Sequence, residues 1–177
     1  FTPVLFTPTN ASMTADGRLA IATEQKSITL WDTAKNERLK TLEAGAYGLR
    51  YVRWSPDGSQ LLGANNDEII VWETSKWSRV TSMPIRFGRP VQAEWSHDGK
   101  RIAACYGSFD DPYLYIWDAK TGKRLRTIEA ETGPFTSISW NPDSSRLAVG
   151  SSDGQILIFD SDTRKLLFQM KGHNRLI

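Results

Sequence analysis

Residues 54–73 read WSPDGSQLLGANNDEIIVWE, and the order of their landmarks returns three more times along the chain. A large residue precedes a Ser-Pro-Asp-Gly turn and a short apolar run follows. A β-branched run then ends in an aromatic–acidic pair. Those pairs are Trp31-Asp32, Trp72-Glu73, Trp117-Asp118 and Phe159-Asp160, spaced 41, 45 and 42 residues apart. The residues before the turns form a second column, Met13, Trp54, Trp95 and Trp140. The turns read TADG from Thr14, SPDG from Ser55, SHDG from Ser96 and NPDS from Asn141. Six of the seven tryptophans stand in these two columns. A period in the low forties means repeated supersecondary units, not one irregular domain.

Each unit carries the same strand rhythm. Val52 and Trp54, Ala93 and Trp95, and Ile138 and Trp140 alternate at period two ahead of the turn,. In the turn, Pro fixes φ and Gly supplies a positive φ where one is required. The spacing predicts second strands over Leu19–Ala22, Leu61–Ala64, Ile102–Cys105 and Leu147–Gly150. It predicts third strands over Ile28–Trp31, Ile69–Trp72, Leu114–Trp117 and Ile156–Phe159. Leu39, Val80, Leu125 and Leu167 then fall inside fourth strands flanked by charges. No segment offers a helical apolar stripe of useful length, so the chain reads as all-β. A β-sandwich with coincidental spacing would not reproduce two aromatic columns and a shared turn. The units run over 5–42, 43–84, 85–128 and 129–171, with 172–177 beginning a further repeat.

Composition narrows the function classes. The chain has 177 residues, 40% of them hydrophobic, which is enough to bury a core,. Lys+Arg 22 against Asp+Glu 20 leaves a formal charge of +2 and no electrostatic footprint for nucleic acid,. One cysteine excludes an intrachain disulfide framework and a multi-cysteine zinc site,. No apolar run approaches the roughly 18 residues of a membrane span. The first residues lack the basic and apolar regions of a secretory signal, so the expected compartment is cytoplasmic.

The motifs SPDG (Ser55–Gly58), ITLWD (Ile28–Asp32), IIVWE (Ile69–Glu73), LYIWD (Leu114–Asp118) and ILIFD (Ile156–Asp160) resemble those of WD-repeat β-propellers, and the match covers nearly the whole chain. Gly172-His173 resembles the Gly-His that opens a repeat in that family. The resemblance implies blades of four antiparallel strands, linked as meanders around a central channel. About four blades are present, which the family pattern makes part of a seven- or eight-bladed ring. Further blades would come from a longer chain or from self-association as a paired half ring. The family's hydrogen-bonded network of His, Ser/Thr, Asp and Trp is incomplete in every unit. Gly45, Arg86 and Glu131 replace its histidine, and Phe159 replaces an indole donor beside Ser151 and Asp153. Stability is therefore expected to rest mainly on apolar packing.

Candidate chemistry is sparse. The phosphate-loop, nucleophile-elbow and zinc-helix motifs are lacking, so no catalytic, cofactor-binding or metal-ligating residues are assigned and no enzyme activity or cofactor is expected. His97 stands in a turn and His173 in a structural position of the repeat. Cys105 aligns with Ala22, Ala64 and Gly150 and reads as a buried, inert thiol. Asp110 and Asp111, before Pro112, read as a solvated loop. Asn10-Ala11-Ser12 matches a glycosylation acceptor only formally.

Binding is expected on loops. The resemblance places one rim at the loops holding Tyr47, Asn65, the Arg86-Phe87-Gly88-Arg89 run, and Phe109 through Tyr113. Arg and aromatic residues are the types enriched at binding hot spots. Arg86 and Arg89 around Phe87 would face an acidic or aromatic peptide, unless Phe87 packs inward and the arginines are merely solvated. Trp77, outside both columns, is either a contact on the opposite rim or a cover for a strand. The expected function is a non-catalytic scaffold for a protein or peptide partner, with neither nucleic acid nor membrane involved. The alternative is a regulatory or substrate-recognition module of a larger enzyme or sensor.

Overall fold

A computed structural model of the chain describes residues 8–23, 26–44, 48–85, 90–107, 113–131, 133–163 and 165–171. Among the described residues, sixteen strands fall in four sheets, each a meander in chain order. The first sheet holds β1 (Pro8–Met13), β2 (Arg18–Thr23), β3 (Ser27–Asp32) and β4 (Glu37–Glu43). The second holds β5 (Tyr51–Trp54), β6 (Gln60–Ala64), β7 (Glu68–Glu73) and β8 (Arg79–Pro84). The third holds β9 (Pro90–Trp95), β10 (Arg101–Tyr106), β11 (Tyr113–Asp118) and β12 (Arg124–Glu129). The fourth holds β13 (Phe135–Trp140), β14 (Arg146–Ser151), β15 (Gln155–Asp160) and β16 (Leu166–Lys171). All pairings are antiparallel. These are propeller-type blades, and among the described residues no helix is long and apolar enough to cross a membrane. The chain divides into two compact units, Phe1–Pro84 and Ile85–Ile177.

Local chemistry builds each blade. At the first hairpin, Ser55 Oγ accepts from Gln60 N at 2.9 Å and donates to Asp57 Oδ1 at 2.6 Å. Ser96 does the same with Arg101 N and Asp98. Thr14 and Asn141 accept from Arg18 N and Arg146 N in the other two blades. The fourth turn residue is left-handed every time: Gly17, Gly58 and Gly99 at φ 88°, 67° and 69°, and Ser144 at 63°. Ser144 carries the Cβ penalty of that region, about 1–2 kcal/mol. Its buried hydroxyl accepts from Asp98 N at 3.1 Å.

The acidic residue after the third-strand aromatic closes the next turn. Asp32 Oδ1 accepts from Ala34 N and Lys35 N, Asp118 Oδ1 from Thr121 N, and Asp160 Oδ1 from Thr163 N at 2.7 Å. Five residues beyond each third-strand tryptophan the chain turns left-handed again, at Asn36, Trp77 and Gly122. Asn and Gly suit that conformation; tryptophan does not.

Within the first unit, Ala20, Ala22, Ile28, Leu30 and Leu42 of one blade pack on Val52, Trp54, Leu61, Ile70 and Trp72 of the next. Fully burying one Ile or Leu is worth about 1.5–3 kcal/mol, so such an interface outweighs any single polar contact. The second unit repeats the scheme with Ala103, Cys105, Leu114, Ile116 and Ile128 against Ile138, Trp140, Leu147, Val149 and Phe159. Volumes compensate across the β-ladder. Gly63, opposite no Cβ of its own, leaves room for Trp72, whose ring a Cβ there would meet at 2.8 Å. At the same places the fourth blade has Val149 and the smaller Phe159.

Side-chain amides clamp neighbouring blades. Asn10 Oδ1 accepts from Val52 N at 3.1 Å. Gln92 Oε1 accepts from Ile138 N at 2.9 Å, and its Nε2 donates to Ile138 O at 3.0 Å.

Two faces carry exposed apolar side chains. Met13, in the tryptophan column, is 63% exposed. On the last strands, Leu42, Met83 and Ile128 are buried, whereas Met170 at the same register is 47% exposed. Phe168, also exposed, stands where Lys40, Thr81 and Arg126 stand in the other blades.

Candidate functional site

Of the residues expected to meet a partner, Tyr47, Arg86, Phe87, Arg89 and Phe109 lie outside the described residues. Asn65, Tyr113 and Trp77 lie within them. Asn65 is only 1% exposed and its amide is engaged internally. Its Oδ1 accepts from Asp67 N and Glu68 N at 2.8 and 2.9 Å, and its Nδ2 donates to Ala44 O at 3.3 Å. It therefore shapes the loop between β6 and β7. The neighbouring Asn66 accepts from Arg50 Nε at 3.3 Å.

Tyr113 opens β11 rather than ending a loop, and it is half-buried. Its ring lies 5.8 Å from Tyr115, which in turn lies 5.5 Å from Trp117. Alternation along one strand face produces this row, and Arg124 covers Tyr115 at 5.4 Å. Trp77 is partly buried, its ring meeting Trp54 edge-on at 5.9 Å and 70°. That contact accompanies its left-handed backbone at φ 56°.

Two arginines were not legible as structural partners from the sequence. Arg18, opening β2, lies over the Trp54 ring at 4.9 Å and donates to Asp16 Oδ2 at 3.0 Å. Arg101, opening β10, lies over Trp140 at 5.2 Å. It also donates to Ser144 O, Ser161 Oγ and Asp162 Oδ1 at 2.7, 2.8 and 2.7 Å. The repeated placement of Arg five residues beyond Met13, and six beyond Trp95, was the available signal. Beside Arg18 runs a groove of about 360 Å³ lined by Met13, Asp16, Trp54 and Asp57. Both carboxylates are held below the usual range, Asp16 by the Thr14 hydroxyl and Arg18, and Asp57 by Ser55 and Ser59.

Residues with possible chemistry are occupied structurally. Cys105 is fully buried, and that burial pushes its thiol up to about 12. His97 is an exposed turn residue. Among the described residues, no group of three or more His, Cys, Asp or Glu side chains is placed to hold a metal. In the fourth blade, Ser151 Oγ donates to Gly133 O at 2.8 Å, and Gln155 Nε2 donates to Asp153. Ser151 thus ties the end of β14 to the loop before β13, and Asp153 accepts from a neighbour two residues on.

Comparison with known proteins matches this blade plan. The family model described as "WD domain, G-beta repeat" matches residues 122–160, from the last turn of the third blade through β15. Cell division cycle 20.1, cofactor of APC complex, from Arabidopsis thaliana is 42% identical over 64 residues, covering 35% of this chain and 14% of that protein. WD repeat-containing protein VIP3 from the same plant is 55% identical over 38 residues, covering 22% and 12%. A WD repeat-containing protein of Synechocystis is 28% identical over 144 residues, covering 81% of this chain and 41% of its own length. The chain thus spans well under half of these relatives. A hairpin closed by Ser-x-Asp-Gly, a third strand capped by its acidic residue and a matching repeat in other proteins converge: residues 122–160 match a WD repeat, and the blades of the chain are similar to those of WD-repeat proteins.

Proposed function

We propose that the chain is a non-catalytic platform that presents loop clusters to a protein or peptide partner. The observation that carries this reading is a division of roles. Turn Ser, Thr, Asn and Asp side chains close their own hairpins, and Asn10 and Gln92 fix the next blade. The loops between sheets are left to vary in length and composition, from the Tyr47 segment to the Arg86–Arg89 run. Rigid bodies with variable loops suit recognition. A relative whose name makes it a cofactor of a complex supports the same reading. The exposed Phe168 and Met170 face supports completion of the array by further blades, from a longer chain or a second copy.

The test uses immobilised acidic peptides containing an aromatic residue. Arg86→Ala with Arg89→Ala is expected to weaken their capture by about tenfold or more and to leave the unfolding midpoint unchanged. Capture that survives the double substitution removes this loop from the site. A second reading, a recognition module within a longer regulatory protein, is favoured by the small share of each relative that the chain matches.

A further inference from the structure

The third and fourth blades meet along a cleft of about 220 Å³. Ile128, Phe135, Leu157 and Phe159 give it an apolar lining, with the exposed Leu166 beside them. Glu129 and Glu131 line it too, and both are exposed, so the carboxylates stand at its mouth. Among the described residues neither carboxylate has an ion-pair partner, and no Lys, Arg or His lines the cleft.

The second blade explains why the space exists. There Trp72 holds the register of Phe159, and Arg79 pairs with Glu68 at the places of Leu166 and Gln155. Exchanging indole for phenyl and an ion pair for Leu and Gln leaves an opening with an apolar wall. Val149 shares a core cluster with Phe159 but does not line the cleft. The polar groups at its inner end are already bonded: Gln169 donates to Gln155, and Ser151 donates to Gly133 O. What remains unmatched is apolar surface and negative charge.

An apolar cavity of about 150 Å³ holds a benzene ring, so this cleft has room for one side chain of Leu or Phe size. We propose that it seats such a side chain from a short peptide whose adjacent residue is Lys or Arg, the cation lying against Glu129 and Glu131. The inference rests on the platform reading but places a contact at the blade junction instead of the 86–89 loop.

Short displayed peptides carrying one Leu or Phe flanked by Lys or Arg are the probes, alongside the same peptides flanked by Glu. The chain is expected to enrich the basic set over the acidic set by about tenfold or more. Leu166→Arg places at the edge of the cleft the residue type that Arg79 supplies in the second blade and is expected to abolish that enrichment at an unchanged unfolding midpoint. Glu129→Lys with Glu131→Lys changes exposed positions only and is expected to turn the preference toward acidic flanks. Enrichment unaltered in both variants overturns the proposal, as does wild-type selection of acidic flanks or of peptides lacking an apolar residue. Binding lost in the Arg86→Ala, Arg89→Ala chain but retained by both cleft variants overturns the cleft and leaves the platform intact. Binding of neither peptide set to any form counts against both.

Discussion

Trp54 and Trp140 hold the same place in their units, each ending a first strand beneath an arginine from the preceding blade. Their surroundings divide the work in opposite ways. The Trp54 indole donates to Ser12 O at 3.0 Å and is braced edge-on by Trp77, while its arginine, 29% exposed, is held by the carboxylate of Asp16. Among the described residues the buried Trp140 Nε1 has no hydrogen-bond partner, but its arginine, 15% exposed, is tied to a carbonyl, a hydroxyl and a carboxylate. One junction satisfies the ring; the other pins the cation. Equal sequence columns therefore conceal unequal energetics.

The largest test of that contrast removes the cation. Arg101→Ala removes the donor to Ser144 O, Ser161 Oγ and Asp162 at a tight junction, leaving Ser161 Oγ its bond to Ser144 O, and is expected to cost about 3 kcal/mol. Arg18→Ala gives up a stacked, solvent-screened guanidinium and should cost about 1 kcal/mol. Urea unfolding of both variants measures the difference, and equal losses would break the comparison.

Changing the ring should reverse the order. Trp54→Phe loses the bond to Ser12 O, whereas Trp140→Phe removes a donor that had no acceptor. The first is expected to cost about 1 kcal/mol more than the second. An inverted order would show that ring size, not the indole N–H, distinguishes the sites.

The smallest expected effect is acid sensitivity. Turn carboxylates lie below their ordinary value of 3.8 in both units: Asp16 and Asp57 in the first, and Asp98, Asp118, Asp143 and Asp160 in the second. Thr121 and Thr163 are the main cause at Asp118 and Asp160, and Ser145 at Asp143. At Asp98 burial opposes the shift, but Ser96 and Lys100 outweigh it. A lowered folded pKa gives stability that is present above the unfolded value and lost as pH falls through the folded one. Amide exchange across that acidic window should loosen the second unit's turns more than the first's. Uniform loss would remove acid sensitivity as a point of contrast.

Fold was legible because each blade repeats its own local chemistry. The Ser, Asp and Gly of a turn meet within five residues, and Trp with Asp marks a strand and its cap. Contacts between blades were less legible, since Arg101 and Asp162 lie 61 positions apart. Asn65 looked like an available loop amide, yet three backbone groups use it. Trp77 had a readable clue: Asn36 and Gly122 occupy its column, and both residue types tolerate positive φ,. Phe159 stood out as a lost indole donor; its steric consequence, an opening between blades, depended on Leu166 of the next strand and on Gln155 at the far end of its own.

Gln92 carries one more consequence. By bonding both the N–H and the C=O of Ile138, its side-chain amide imitates a paired backbone along β13, an outermost member of its sheet. A strand from another molecule seeking to lengthen that sheet would find the central rung already taken. The glutamine that aligns two blades also works against runaway strand addition, so its loss would be felt first in the protein's resistance to aggregation during refolding.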